Sequence, residues 1–276
     1  MWKIGSLSIL GKGHEENSLE NQDRFKVLER EDCVIIIMSD GAGSAEYGAS
    51  GAQAIIDTCN ESFSQLDGEL FKNFSNSSER FINVTKGAVT TTRFEISQGN
   101  YAKKEKKFSK FFNFFNNKKQ IEEAIDLDDF AATLLVAILS PTEVWTAHIG
   151  DGYMAGLKIE EDNSFSQKFA SLPENGEYSN QTYFFTDENW EEHFRTNHSN
   201  EAIDFFACMT DGADPFLISN DRENLDKNIT EKILEFSKKH TELHLNDILA
   251  KMFIPEKIYS VTNDDTTFCL VIRETE

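Results

Sequence analysis

The sequence predicts an α+β fold in which helices cover β-sheet, and the order of its segments is the main evidence. Segments typical of strands come first, two helical segments follow, and a longer series of strands, two more helices and a final strand complete the chain. Because strands and helices do not alternate, a doubly wound parallel sheet is not expected. The 276 residues contain no internal repeat and no Pro- or Gly/Ser-rich linker, so we predict one domain over residues 1–276.

Eight segments have the β-branched and aromatic composition of strands. They are Lys3–Ile9, Phe25–Leu28, Val34–Met38, Thr133–Leu139, Val144–Ile149, Tyr153–Ile159, Ile203–Met209 and Thr267–Ile272. Apolar residues recur at spacings of three and four in four predicted helices. These are Glu46–Gln65, Ser78–Ser97, Leu225–Lys239 and Leu243–Met252. Two pairs of long helices, each following strands, suit a layered arrangement.

The formal net charge of -21 limits the partners that the chain can have. It argues against nucleic acid or an anionic membrane as the main partner. A large negative charge suits a protein that binds divalent cations. The alternative is an acidic surface that only improves solubility.

The location of the protein is predicted from three absences in the sequence. The N-terminal apolar stretch is too short for a signal peptide, and no window approaches the roughly 18 apolar residues of a membrane span. The four cysteines lie far apart without C-x-x-C spacing, which indicates reduced core residues. We therefore predict a cytoplasmic protein without an integral membrane segment.

The stretch SDGAGSAEYGASGAQ, residues 39–53, follows an apolar strand and begins with Asp40. Gly41 and Gly43 allow a sharp turn or a close approach of another group. A phosphate-binding loop is one interpretation, but the lysine of a P-loop is missing. The other interpretation is that Asp40 and the Gly41 carbonyl bind a cation.

Further carboxylates repeat this placement at the ends of predicted strands. They are Asp23, Asp151, Asp211, Asp214, and the adjacent pair Asp264 and Asp265. A single Asp-Gly is more often an ordinary turn. Several such sites favour a shared centre, because clustered carboxylates repel one another unless a cation lies between them. Oxygen ligands without a Cys or His cluster suit Mg²⁺ or Mn²⁺ and fit Zn²⁺ poorly.

Six short motifs follow one another along the chain: QD (22–23), SDGAGS (39–44), FAATLLVAIL (130–139), HIGDGY (148–153), MTDGAD (209–214) and DDTTFCLVI (264–272). In this order they resemble the metal-dependent protein phosphatases of type 2C. The stretch GEYSNQTYFF (176–185) further resembles a bacterial branch of that family. The resemblance implies a sandwich of two β-sheets flanked by pairs of antiparallel helices. It also implies hydrolysis of phosphoserine and phosphothreonine in a phosphoprotein substrate, by attack of a water shared by two Mg²⁺ or Mn²⁺ ions.

The resemblance also assigns metal ligands to positions in this sequence. Asp40 would bridge two tightly bound ions, and the Gly41 carbonyl would bind one of them. Asp211 and Asp264 would complete the ligands of the second ion. Asp151 corresponds to a ligand of a possible third ion. Asp264 aligns with the ligand and Asp265 with an Asn that usually follows it, but the reverse register stays open.

Two candidate catalytic residues lie near the N-terminus, where the sequence departs from the family. Asp23 would hold a metal-bound water, and the Glu that usually precedes it is Gln22 here. The arginine that holds the substrate phosphate in the family is missing from residues 11–23. His14 or Lys12 could replace it, with a capping or surface role as the alternative for His14.

The departures keep two other functions open. An inactive phosphatase-like domain that regulates or binds a partner is one, and a phosphatase of small phosphate esters is the other. Residues 101–119 form a predicted insertion with seven Lys and one acidic residue. Its phenylalanines recur at helical spacing, so packing on the protein itself and docking to an acidic partner or anionic membrane are both possible.

Overall fold

The structure is a computed structural model, and it describes residues 2–101, 125–162, 164–175, 182–240 and 243–274. Its described strands form two five-stranded sheets, in which every neighbouring pair is antiparallel. The strands are β1 (Trp2–Ile9), β2 (Arg24–Glu29), β3 (Val34–Ser39), β4 (Leu134–Leu139), β5 (Val144–Ile149), β6 (Tyr153–Ile159), β7 (Phe165–Ser171), β8 (Arg195–Ser199), β9 (Phe205–Met209) and β10 (Thr266–Arg273). One sheet has the order β1-β10-β9-β6-β7 and the other β2-β3-β4-β5-β8.

Helices lie on the outer faces of the two sheets. Among the described residues the α-helices are α1 (Lys12–Glu16), α2 (Gly48–Ser64), α3 (Phe74–Ser97), α4 (Asp214–Leu217), α5 (Lys227–Lys239), α6 (Leu245–Met252) and α7 (Pro255–Ile258). Short 3-10 turns cover Gly68–Lys72, Leu127–Phe130, Trp190–Glu192 and Asp211–Ala213. Helices α2 and α3 pack on each other and on the second sheet, and α5 and α6 pack together over the first.

Three apolar layers hold these elements together. Strand β3 lies between two of them and contributes side chains to both. Val34 and Ile36 face the core between the sheets, whereas Ile35 and Ile37 face the core under α2 and α3. Neighbouring side chains of a strand point to opposite faces, so a strand buried on both faces has a continuous apolar sequence. The two sheets with flanking helices confirm the predicted α+β arrangement.

Two strands were absent from the prediction, and both lie at the edge of a sheet. Strands β7 and β8 have the sequences FSQKFAS and RTNHS, and most of their residues are only half-buried. An edge strand contacts one neighbour and has a solvent-facing side, so its sequence lacks the apolar run used to identify the central strands. The long helices were predicted within a few residues of their observed bounds.

No helix among the described residues combines the length and the apolar character that crossing a membrane requires. All four cysteines are buried and free, as predicted. Nearly all of the predicted Lys/Phe-rich insertion, residues 102–119, lies outside the described residues.

Candidate active site

The predicted carboxylates lie where strands of both sheets begin or end. Asp40 follows β3, Asp23 precedes β2, and Asp211 follows β9. Asp264 precedes β10, and Asp151 lies in the turn between β5 and β6. The charges of Asp23, Asp151, Asp211 and Asp264 all act on the carboxyl group of Asp40, which places these side chains near one another. The fold therefore brings side chains from distant parts of the chain to one end of the sandwich.

The backbone around Asp40 is held by Thr133, which begins the chain segment entering β4. The Asp40 amide donates to Thr133 Oγ1 at 2.9 Å, and the Thr133 amide donates to the Asp40 carbonyl at 2.8 Å. A Cβ on Gly41 would overlap the backbone of Gly48 at the start of α2. The glycine after Asp40 is therefore required by the close approach of a helix.

Gly212, after Asp211, serves a second close approach. A Cβ at this position would collide with the carbonyl oxygen of Asp265. The residues between β9 and α4 can consequently lie directly on the segment that enters β10. This contact keeps Asp211 and Asp264 near each other although 53 positions separate them in the chain.

Burial and mutual repulsion raise the pKa of six carboxyl groups at this end of the sandwich, which together form the carboxylate cluster: Asp23, Asp40, Asp151, Asp211, Asp214 and Asp264. The pKa of Asp23 is raised to about 8 and that of Asp211 to about 7, in both cases first by burial and then by neighbouring carboxylates. The pKa of Asp40 is raised well above its usual range by burial and by Asp23 and Asp211. Partial loss of hydration beside the other acids also raises the pKa of Asp151 and Asp264. Each shift means that negative charge is unfavourable here without a compensating cation.

Several carboxylate oxygens of the cluster are buried without a hydrogen-bond partner among the described residues. They are Oδ1 of Asp23, Asp211 and Asp214. Buried polar atoms of this kind normally have a partner, and hard oxygen donors suit Mg²⁺ or Mn²⁺. The donor set therefore fits such a cation, although no three His, Cys, Asp or Glu side chains of the described residues are already arranged around one point.

The adjacent residues Asp264 and Asp265 have different surroundings. Asp265 is 2% exposed, and it accepts hydrogen bonds from the Gly11 and Gln22 amides at 2.6 Å and from His14 Nδ1 at 2.9 Å. Asp264 is exposed, and its charge contributes to the raised pKa of Asp40 and Asp211. The charge of Asp265 also raises the pKa of Asp23, but the oxygens of Asp265 already accept hydrogen bonds from three donors.

The two candidates for the missing arginine are placed differently. The side chain of Lys12 is 45% exposed and pairs with Glu16 at 3.7 Å, one helical turn along α1. His14 also lies on α1, but its side chain is only 16% exposed and contacts Asp265. The structure thus brings His14, and not the side chain of Lys12, into contact with the segment that carries Asp264.

A cavity of about 520 Å³ opens beside Asp211 and contains one residue that sequence reasoning missed. Asp151, Asp211, Asp214 and Arg222 line part of its wall. Arg222 lies in the polar stretch SNDREN, which reads as a surface turn. No sequence signal connects it to the acidic motifs, because only the folded loop brings it to this wall.

Residues 10–251 match the protein phosphatase 2C family. The match covers most of the chain, which therefore belongs to this family, as its six motifs predicted. This membership confirms the predicted class of enzyme, a serine/threonine phosphatase of type 2C.

Similar proteins from bacteria agree with the family. Serine/threonine-protein phosphatase 3 of Escherichia coli (strain K12) is 26% identical over 218 residues, which cover 76% of this chain and 73% of that protein. The solved structure of the S. agalactiae serine/threonine phosphatase has a TM-score of 0.61 at 13% identity and covers 99% of this chain and 100% of its own. RsbX in complex with magnesium has a TM-score of 0.54 at 13% identity, covering 98% and 94%. The structural likeness shows a shared fold.

Proposed function

We propose that this chain hydrolyses phosphoserine and phosphothreonine in proteins, using divalent cations held by the carboxylate cluster. The observation that supports it most is the group of carboxylates around Asp40, whose raised pKa values and unpartnered oxygens call for a cation. Membership in the protein phosphatase 2C family supplies the substrate class. A phosphoprotein is therefore the proposed partner, and the cytoplasm is the proposed location.

The residues that would hold the cations follow from the site. Asp40 would bridge two Mg²⁺ or Mn²⁺ ions, with the Gly41 carbonyl, Asp211 and Asp264 as further ligands. When bound, such a pair lowers the pKa of water and offsets negative charge on a phosphoryl group. The exposure of Asp264 and its influence on Asp40 support its choice over Asp265, whose oxygens accept three hydrogen bonds.

Asp23 would orient water beside the cluster. Its Oδ2 accepts a hydrogen bond from Thr210 Oγ1 at 2.9 Å, which fixes the carboxyl group, while Oδ1 has no partner among the described residues. A fixed carboxylate with one unused oxygen can accept a hydrogen bond from water and hold it in one orientation.

The proposal is tested by assaying the purified chain with and without Mn²⁺ on a phosphothreonine peptide and on p-nitrophenyl phosphate. Mn²⁺-dependent hydrolysis of both is expected. Hydrolysis of p-nitrophenyl phosphate alone would point to small phosphate esters. Binding of the peptide without hydrolysis of either substrate would favour an inactive partner-binding domain and would contradict the proposal.

His14 is proposed to protonate the leaving oxygen of the substrate. Asp265 holds its Nδ1, and Nε2 makes no hydrogen bond to a described residue. A general acid contributes about 10²–10⁴-fold when the leaving group needs a proton. We therefore expect His14→Ala to lower kcat for a phosphothreonine peptide about a hundredfold and to change its pH profile between about 5 and 8.

The second substrate provides the control for His14. Nitrophenolate leaves readily without a proton, so His14→Ala should reduce hydrolysis of p-nitrophenyl phosphate far less than that of the peptide. Asp265→Asn keeps the size of the side chain that holds His14. It should change the rates of hydrolysis of the two substrates in the same direction as His14→Ala does. Equal losses on both substrates in His14→Ala would assign His14 a structural role instead.

Asp151 is proposed to bind a weaker third ion, because it lies at the rim beside Asp211 and contributes to the raised pKa of that residue. We expect Asp151→Ala to lower turnover at low Mn²⁺, with recovery as Mn²⁺ increases. Calorimetry should find the tight sites intact and one weaker site lost. Equal loss of all sites would contradict this separate role.

A further inference from the structure

Arg222 is the single basic residue among the described residues that line the 520 Å³ cavity. The other charged residues of this wall are all acidic, and they include Asp151, Asp211 and Asp214. A cavity wall whose only charged groups are carboxylates would repel the dianionic phosphoryl group of the substrate in the proposed reaction. Arg222 is therefore the one described side chain of this wall that can attract it.

The guanidinium group of Arg222 is exposed and available. No hydrogen bond or ion pair of its side chain to a described residue occurs, although its charge opposes the burial-driven rise in the pKa of Asp214. An arginine presents several N–H donors in a planar arrangement that matches two oxygens of a phosphate. Arg222 thus has the chemistry needed to bind a phosphate, and its N–H donors are not used by other described residues.

The loop that carries Arg222 is held in one conformation. Asp221 Oδ1 accepts hydrogen bonds from Ser219 Oγ at 2.6 Å and from the Glu223 amide at 2.9 Å. The Arg222 amide donates to the Ser219 carbonyl at 2.9 Å. These bonds fix a tight turn and place Arg222 at its tip.

The same loop is anchored to the sheet that carries Asp211. The Tyr153 hydroxyl and Gln167 Nε2 donate to the Glu223 carbonyl at 2.9 and 2.8 Å. Arg222 has φ 59°, a left-handed conformation that is uncommon for a residue with a side chain. Such a conformation persists only where surrounding contacts support it, as they do here.

We propose that Arg222 binds the phosphoryl group of the substrate and takes the role of the arginine that residues 11–23 lack. This inference rests on the proposed phosphatase function. A purely electrostatic role, in which Arg222 only offsets the nearby acids, is the alternative. The unpaired guanidinium favours the proposal, because a counter-charge would be expected to form an ion pair with one of the carboxylates around it.

Arg222→Gly is the informative variant, since glycine adopts φ 59° without strain and removes only the side chain. We expect KM for both p-nitrophenyl phosphate and a phosphothreonine peptide to rise roughly ten- to hundredfold, the range for a lost charge-assisted hydrogen bond. The inhibition constant of inorganic phosphate should rise by a similar factor, while kcat changes much less. Arg222→Lys should recover part of the affinity, because it retains charge but not the planar donors.

Arg80→Ala is the matched control. Arg80 is exposed on α3, outside the cavity wall, and its removal should leave KM and phosphate inhibition unchanged. The melting temperature of Arg222→Gly should equal that of the unmodified chain, which would exclude loss of folding as the cause of weaker binding.

Three results would overturn the proposal for Arg222. They are an unchanged KM and phosphate inhibition in Arg222→Gly, a rise in KM for the peptide alone, and equal losses in Arg80→Ala. The second would mean that Arg222 contacts the peptide and not the phosphoryl group. If the unmodified chain hydrolyses neither substrate, the proposed function fails, and calorimetric binding of inorganic phosphate with Mg²⁺ still decides the role of Arg222. Equal binding by the unmodified chain and Arg222→Gly would then contradict it.

Discussion

Asp40→Asn should lower Mn²⁺-dependent turnover by about a thousandfold or more while the protein remains folded. Four other carboxyl groups act on Asp40, which is proposed to bind both ions. A neutral amide binds a hard cation poorly, and the ions supply several kcal/mol of transition-state stabilisation, which corresponds to this loss. Steady-state kinetics with a phosphothreonine peptide and a Mn²⁺ titration would measure it.

Asp57→Asn is the control for this substitution. Asp57 is an exposed residue of α2, and the same chemical change there should leave turnover and the Mn²⁺ titration as they are. Circular dichroism would establish that Asp40→Asn is folded. Near-normal activity of Asp40→Asn with an unaltered metal titration would refute the proposed centre.

Asp211→Asn should stabilise the metal-free protein at neutral pH although it removes activity. The pKa of Asp211 is raised from 3.8 to about 7 in the fold, so the folded state holds its proton more tightly than the unfolded state does. Folding stability consequently falls as pH rises from about 4 to about 7, by up to about 1.4 kcal/mol per pH unit. Asparagine has no such loss, so the variant should gain about 4 kcal/mol at pH 8 and almost nothing near pH 4.

Urea unfolding of Asp211→Asn and of the unmodified chain, in the presence of a metal chelator at pH 4 and pH 8, would measure this gain in folding stability. Asp57→Asn should differ little from the unmodified chain at either pH. Added Mn²⁺ should stabilise the unmodified chain more than Asp211→Asn, because binding to the folded state alone raises its stability. A metal-free Asp211→Asn protein that is less stable than the unmodified chain at pH 8 would contradict the electrostatic origin of the raised pKa.

The central strands and long helices were predictable because their signals are local. The apolar run Val34–Met38 and the helical spacing of the long helices reflect burial of whole elements in the layers of the sandwich. Strands β7 and β8 were not predictable in the same way, because a half-exposed edge strand has no apolar run. Their pairing with β6 and β5 depends on contacts between elements.

For the site, the sequence by itself determined which carboxylates end strands and which family their order defines. Only the tertiary structure distinguished the surroundings of Asp264 and Asp265, since the three donors on Asp265 come from residues more than 240 positions earlier. It also brought Arg222, in a turn without a motif, to the wall that contains Asp211. Motifs record local backbone and ligand requirements, whereas hydrogen-bond partners and cavity walls depend on how distant segments pack.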